Sequence, residues 1–427
     1  MTEGVLVLGG GLAGVACAQQ LAQDGIEVTL VDRNDYHQFQ PLLYQVASSQ
    51  LPAEDVARPH RTIFQKTPAV KVMTAGVSSV DLAAHSLTLA EGRTLSGSHV
   101  VMAAGGQPNF FGIPGAAEHA FPLYSVADAE RLRLQVKSVL QEPRPSGGDE
   151  VPARNIVVVG AGPTGVETTG ALSELIEALR ADGKEANTGT VFLVDRGEVL
   201  LGGFSDKAHN YAHRKLTEAG VQIRLGAGVA AVHPDGVDLD DGSTIPSRIV
   251  VWAGGESAAE IASAAGSMRG AGGRIDVRAD LGVGDLPGVW AVGDVANIPD
   301  GAGGTLPQLG SVAQQSGRWA AQNIVRQQRG EQTKPFAYKD KGIMAMIGRN
   351  AAVAEVGQGR HQLEGPVAFA AWLGLHVVLL SGMHSEVDAF LNWADDYFHH
   401  HRAPDLELDD AVGRIAWADD ESEKPTL

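Results

Sequence analysis

The 427-residue chain contains one cysteine, Cys17. A single thiol can form neither an intrachain disulfide nor a redox-active dithiol, so disulfide-stapled folds and disulfide reductases are excluded, and a reducing compartment fits. Positive charge is also scarce. Lys and Arg total 33 against 51 Asp and Glu, a formal net charge of −18. Such a polyanion repels nucleic acid, and no nucleic-acid partner is expected. No basic segment or cleavage site precedes the first apolar run, so no secretory leader is expected and the location is read as cytoplasmic. Long apolar runs are nearly missing. The exception, 367–383 (VAFAAWLGLHVVLLSGM), has no formal charge and approaches spanning length. It contains two glycines and a histidine and no second span follows, so a buried or interfacial hairpin is expected rather than a transmembrane helix.

What the chain has is glycine, 53 residues of it, far above average usage. There is no three-residue period, which excludes collagen, and the glycines gather in two similar units. In the first, a strand at 4–7 runs into a glycine turn, a helix over about 13–23 and a strand at 27–31. In the second, a strand at 155–159 leads to a turn at 160–165, a helix over 166–179 and a strand at 191–194. Two copies of one supersecondary unit imply two dinucleotide-binding domains. A Pro/Gly-rich connector at 143–152 lies between them. Alternating stretches at 70–74, 85–89, 221–225 and 236–239 read as antiparallel strands attached to the units. A buried strand is expected in GVWAVGD at 288–294, and a helix over about 311–329.

In the first loop, Gly9, Gly11 and Gly14 fill the G-x-G-x-x-G places; Gly160, Gly162 and Gly165 fill them in the second. The first place permits a tight turn, the second lets a pyrophosphate approach the backbone, and the third allows close helix–strand packing. The phosphates then sit at the positive end of a helix. Asp32 and Asp195, each ending the next strand, are placed to hold a ribose diol. Asp195 would repel a 2′-phosphate and favours NADH over NADPH, although Arg196 beside it could instead accept that phosphate. Two loops plus GVWAVGD point to FAD on the first unit and NAD(P)H on the second, with Asp294 on the flavin's ribityl chain. A turn or helix-capping role for Asp294 is the alternative.

Further pieces carry a family resemblance: DYHQFQPLLYQVA at 35–47, LPAEDVARPHR at 51–61, QPNFFG at 107–112, GAGPTGVETTGALSEL at 160–175, LPQLGSVAQQSG at 306–317 and YKDKGIMAMIGRNAAVA at 338–354. In this order they resemble the type II NADH dehydrogenases, single-subunit NADH:quinone oxidoreductases. The resemblance implies an α/β fold with two Rossmann-like domains on the glutathione-reductase-like plan, plus a C-terminal helical region. The FAD domain is expected at 1–112 and 275–330, the NAD(P)H domain at 113–274, and a C-terminal domain at 331–427. It also implies FAD and NADH as cofactors and NADH and a quinone as reaction partners, with no metal centre and none in the adjacent histidines 399–401.

By the same resemblance Glu167 lies near the nicotinamide–flavin–quinone junction and assists quinone protonation; a helix-dipole role is the alternative. Gln315 matches a glutamine of the quinone-side motif. His37 and Lys341 match flavin-side positions, as does Tyr44, which could equally be core. Ser316 replaces a second glutamine, and 310–311 (Gly-Ser) an alanine–proline pair, departures that fall on the quinone pocket. The family docks C-terminal helices on the bilayer. Here the apolar stripe Val387, Phe390, Leu391, Ala394, Tyr397 and Phe398 is flanked by acids and followed by an acidic tail. Either a weak peripheral membrane contact driven by Trp372, Leu373, Phe390 and Trp393 is expected, or the stripe is a homodimer face. Two rival readings remain: a soluble reductase of a protein acceptor such as ferredoxin, and a nucleotide-sensing protein that does not turn over.

Overall fold

The computed structural model describes residues 4–142, 154–181, 189–266, 268–357 and 359–380, with backbone alone for 377–380. The connector at 143–152, the stripe at 387–398, the histidines 399–401 and the acidic tail lie outside the described residues. Along the chain run β1 (Val5–Leu8), α1 (Leu12–Gln23), β2 (Val28–Asp32), β3 (Val70–Thr74), β4 (His99–Met102) and β5 (Gly106–Pro108). There follow β6 (Phe121–Pro122), α2 (Val126–Gln141), β7 (Ile156–Val159), α3 (Pro163–Leu179), β8 (Val191–Asp195), β9 (Gln222–Leu225) and β10 (Ile249–Trp252). The last are β11 (Glu256–Ala258), β12 (Val289–Ala291), α4 (Gly310–Gln328), β13 (Gly342–Gly348), β14 (Ala351–Val356), β15 (His361–Glu364) and α5 (Pro366–Leu380).

Two parallel five-stranded sheets result, ordered β12-β4-β1-β2-β3 and β6-β10-β7-β8-β9. The central strands β1 (VLVL) and β7 (IVVV) are buried at every position, as both-faced coverage of a parallel sheet requires. In each sheet the glycine-loop strand pairs with the acid-bearing strand, Leu8 with Val31 and Val159 with Val194. Both acids thereby stand beside their loops. Antiparallel β5 and β11 join the two units. A three-stranded antiparallel sheet, β13-β14-β15, packs on α3, and α5 packs against all three of its strands.

Two expectations change here. The segments at 70–74 and 221–225 are parallel edge strands of the two main sheets, not antiparallel additions. An edge strand is half solvated, so it alternates in polarity just as an antiparallel strand does. The apolar run from 367 begins as one continuous helix, α5, rather than a hairpin. Among the described residues no helix is long and apolar enough to cross a membrane.

Candidate active site

The six loop glycines are needed for three separate reasons. Gly9 and Gly160 take φ of +105° and +109°, and a Cβ on either would lie 2.3 Å from the carbonyl oxygen of Ala103 or Ala253. A Cβ on Gly14 or Gly165 would come within 1.8 or 1.7 Å of the oxygen of Gly9 or Gly160. Gly11 and Gly162 differ, because a Cβ there would meet no protein atom within 4 Å. They are the N-caps of α1 and α3, and no side chain bonds the free N–H groups of either helix start. Those N–H groups face open space into which a pyrophosphate fits.

Each acid anchors its own loop. Asp32 accepts from the Gly10 N–H through Oδ2 and from the Asn34 N–H at 2.7 Å through Oδ1. Asp195 does the same, accepting from Ala161 and Gly197, both at 2.6 Å. A carboxylate oxygen has two lone pairs, so each acid keeps acceptor capacity for a ribose diol. Arg196 lies with the Asp240 carboxylate over Gly228, within 3.0 Å of where a Cβ would sit. A carboxylate so placed opposes binding of a 2′-phosphate by Arg196.

The first loop has a further clamp. His37 Nδ1, at 2.9 Å, and His60 Nε2, at 3.2 Å, both donate to the Gly10 carbonyl. Burial holds both imidazoles below their ordinary range, His60 at about 4 with His37 contributing. Both are therefore neutral donors near pH 7. His60 is fully buried and its Nδ1 has no partner. Sequence reading singled out His37 and passed over His60, although the segment 51–61 contained it.

Asp294 does not end a strand. The strand stops at Ala291, and Asp294 sits in a 3₁₀ turn at Gly293–Val295. Its Oδ1 is buried without a hydrogen-bond partner, a poor arrangement for a turn residue and the one expected of a side chain that bonds a ligand. Burial raises its pKa to about 6, with Arg274 opposing. This orphan acceptor, beside the first glycine loop's helix, is where the donor groups of a ribityl chain fit. Ser316 belongs to the same turn: fully buried, it accepts from the Gly293 N–H at 3.1 Å. The sequence expectation set its replacement of a glutamine at the quinone pocket; in the structure the hydroxyl bonds the turn that carries Asp294. Glu256 on β11 was not anticipated at all. Burial first, and then repulsion from Asp294, lifts it to about 8; no motif marks an acid at that place.

Glu167 lies on the second turn of α3 and turns away from the helix start. Its Oε1 accepts from the Met346 N–H of β13 at 3.0 Å, and the Trp372 indole on α5 donates to the same carboxyl. The helix-dipole alternative therefore loses its footing. One face of α3 is built for this contact. A Cβ on Gly170 would lie 1.9 Å from the Ile347 oxygen, and Glu174 accepts from the Arg349 N–H. Tyr44, buried in the core that contains the second unit's central strands, meets Trp372 edge-on at 6.5 Å. Glu167 thus stands where the second unit meets the C-terminal sheet and α5, with Tyr44 beyond Trp372. Burial raises its pKa to about 8, the two hydrogen bonds opposing. Gln315 bonds the Lys339 backbone in both directions, at 3.1 and 3.0 Å, and so fixes the approach to Lys341, which is exposed at the start of β13.

The sole cysteine offers no rival chemistry. Cys17 is fully buried in α1, and burial pushes its thiol up to about 12.

Residues 3–317 match the pyridine nucleotide-disulphide oxidoreductase family. Two Mycobacterium tuberculosis proteins, the type II NADH:quinone oxidoreductases Ndh and NdhA, are 31% and 32% identical to this chain. Each alignment covers 91% of this chain and 87% or 86% of the relative. Among solved structures, NDH2 from Plasmodium falciparum in complex with NADH shares the fold at a TM-score of 0.86. It is 16% identical, with 93% of this chain and 99% of that one covered.

Proposed function

The chain belongs to the pyridine nucleotide-disulphide oxidoreductases and, within them, to the type II NADH:quinone oxidoreductases, and from that premise we propose that it oxidises NADH with FAD and passes the electrons to a quinone. FAD, when bound, supplies the two-electron chemistry between the two substrates. The protein's own residues bind, orient and manage protons. The N–H groups at the start of α1, with Asp32 and Asp294, hold FAD, and the Gly10 peptide clamped by His37 and His60 fixes that loop. The start of α3, with Asp195, holds NADH.

NADH carries two electrons and one proton to a quinone, and the quinol needs two protons. One proton per turnover therefore comes from water, and we assign Glu167 as its last donor. The observation that carries this reading is the lie of Glu167: an acid on the NADH unit, bonded to β13 and α5, protonated near neutral pH. Gln315 holds the segment leading to Lys341, on the flavin side of the C-terminal sheet.

Anaerobic mixing with NADH and then a short-chain menaquinone or ubiquinone tests the proposal. Bleaching of the flavin band followed by recovery on quinone supports it. Recovery only with a ferredoxin-like protein would replace it with the soluble reductase reading. We further propose a peripheral contact of the C-terminal region with the cytoplasmic face of a membrane. Flotation with liposomes tests that contact, and a homodimer that stays unbound would transfer the apolar stripe to a subunit interface.

A further inference from the structure

Trp372 is almost wholly buried at the middle of α5 and does two things at once. Its indole donates to the Glu167 carboxyl, and its ring is the centre of an aromatic stack. His376, one turn on, lies face to face with it at 3.8 Å between centroids and 24° between planes. The His376 Nδ1–H donates to the Trp372 carbonyl at 2.8 Å. Phe39 meets the His376 ring edge-on at 6.0 Å, and Tyr44 meets Trp372. An indole held on two sides by rings and from below by its own helix has little rotameric freedom. Its N–H points one way, at Glu167.

We propose that Trp372 is a positioning residue for the quinone half-reaction: its indole N–H fixes the Glu167 carboxyl and tunes its proton affinity, and His376 fixes the indole. This rests on the assignment of Glu167 as proton donor. Among the described residues, Met346 and Trp372 hydrogen-bond Glu167. β13 contributes a backbone amide and no titratable side chain, and the described side chains of α5 contribute the indole with His376 behind it. Tyr44 lies beyond Trp372. His376 is held at about 4 by burial and stays uncharged above that, so it adds no positive charge that would drag the proton off Glu167. Glu174, two turns along α3, is engaged with Arg349. A hydrogen bond to the ionised carboxylate favours ionisation. Removing the indole N–H must therefore make Glu167 hold its proton more tightly.

The test is W372F, which keeps an aromatic ring in the stack and removes the N–H together with part of the indole's volume. The flavin-containing enzyme is bleached with NADH, and recovery on short-chain quinone is followed against pH. The basic limb should move up by about one pH unit, the size of one charge-assisted hydrogen bond. Bleaching by NADH should stay unchanged. In an E167Q background the limb should be missing and W372F should shift nothing. An unmoved limb in W372F, or a shift that persists in E167Q, overturns the proposal.

An infrared titration of the protonated carboxyl band, assigned by its loss in E167Q, reads the same shift without quinone. It keeps the proposal testable if quinone proves not to be the acceptor. Should W372F fail to retain flavin, W372H restores a ring N–H in its place. Rescue of the wild-type infrared midpoint supports the role, and a midpoint still raised in W372H, with flavin bound, refutes it.

Discussion

Glu167→Gln is the perturbation with the clearest consequence. Glutamine keeps the size of the side chain and the oxygen that accepts from Met346, but it has no proton to give. With burial raising Glu167 to about 8, roughly nine in ten carboxyls are protonated at pH 7. Loss of a positioned general acid costs on the order of 10²–10⁴-fold. Glu167 is only partly buried, so water can substitute to some extent and a loss near a hundredfold is expected. The step affected is recovery of the flavin band on quinone; bleaching by NADH should change by less than about twofold, because Glu167 bonds β13 and α5 rather than the glycine loop.

Stability moves in step with this. The folded protein holds the Glu167 proton up to about 8 against an ordinary 4.5, so between those values it binds more protons than the unfolded chain. Stability then declines as pH rises through that window. The Gln variant lacks that slope, and above pH 8 it should melt at a higher temperature than the wild type. Double-mixing stopped flow and a pH series of melting curves check both parts. An equal loss in both half-reactions, or a basic limb surviving in E167Q, would refute the assignment.

Five further outcomes follow from the loops and the charge. Gly162→Ala should leave stability within about 0.5 kcal/mol, since a Cβ there meets nothing within 4 Å, yet raise the KM for NADH roughly tenfold by crowding the pyrophosphate. Gly165→Ala places a Cβ 1.7 Å from the Gly160 oxygen and should cost about 3 kcal/mol or more in denaturant unfolding. Asp195→Ala should lower the preference for NADH over NADPH about tenfold or more; an unchanged ratio of kcat/KM values would mean another group reads the ribose. Asp294→Ala removes the orphan acceptor and should weaken FAD retention by about ten- to a hundredfold on dilution, read by released flavin fluorescence. Because a chain of net charge −18 must bind an anionic dinucleotide, added salt should speed NADH association over the range in which the Debye length falls from about 30 to 8 Å; slowing would mean that local positive potential outweighs the overall charge.

The glycine loops were legible because backbone geometry dictates them. Positive φ at Gly9 and the 1.8 Å approach at Gly14 permit no other residue, so spacing alone carries the message. Asp32 and Asp195 were legible for a related reason, as ends of strands whose register is set by the sheet. What failed was anything decided by a distant segment. Edge strands at 70–74 and 221–225 alternate like antiparallel ones, and only their partners reveal the direction. Ser316 was assigned by its place in a motif, whereas the packing of α4 against the 3₁₀ turn decides that it holds Gly293. His60 lies 50 residues from the carbonyl it clamps. Trp372 was read as a membrane-contacting aromatic, though it is almost wholly buried, and His376 only as a member of an apolar run, because the bond to Glu167 crosses more than two hundred positions of sequence.

Charge in this site is managed without a matching set of cations. Three acids at the heart of the molecule, Glu167, Glu256 and Asp294, are all raised by burial as the first cause. Arg274 opposes the rise at two of them, and only hydrogen bonds oppose it at Glu167. Neither glycine loop contains Lys or Arg, and on the proposed reading each pyrophosphate is met by a helix start, with the Gly10 peptide clamped in the first loop. A preorganised backbone dipole costs no reorganisation and adds no charge of its own. A lysine placed to grip the phosphates would lower the proton affinity of any acid nearby, and Glu167, as the proposed proton donor, must hold its proton near neutral pH. The same economy explains how so acidic a chain can bind two anionic dinucleotides. The surface charge stays in solvent, where salt screens it, and the local field at each loop belongs to the peptide groups.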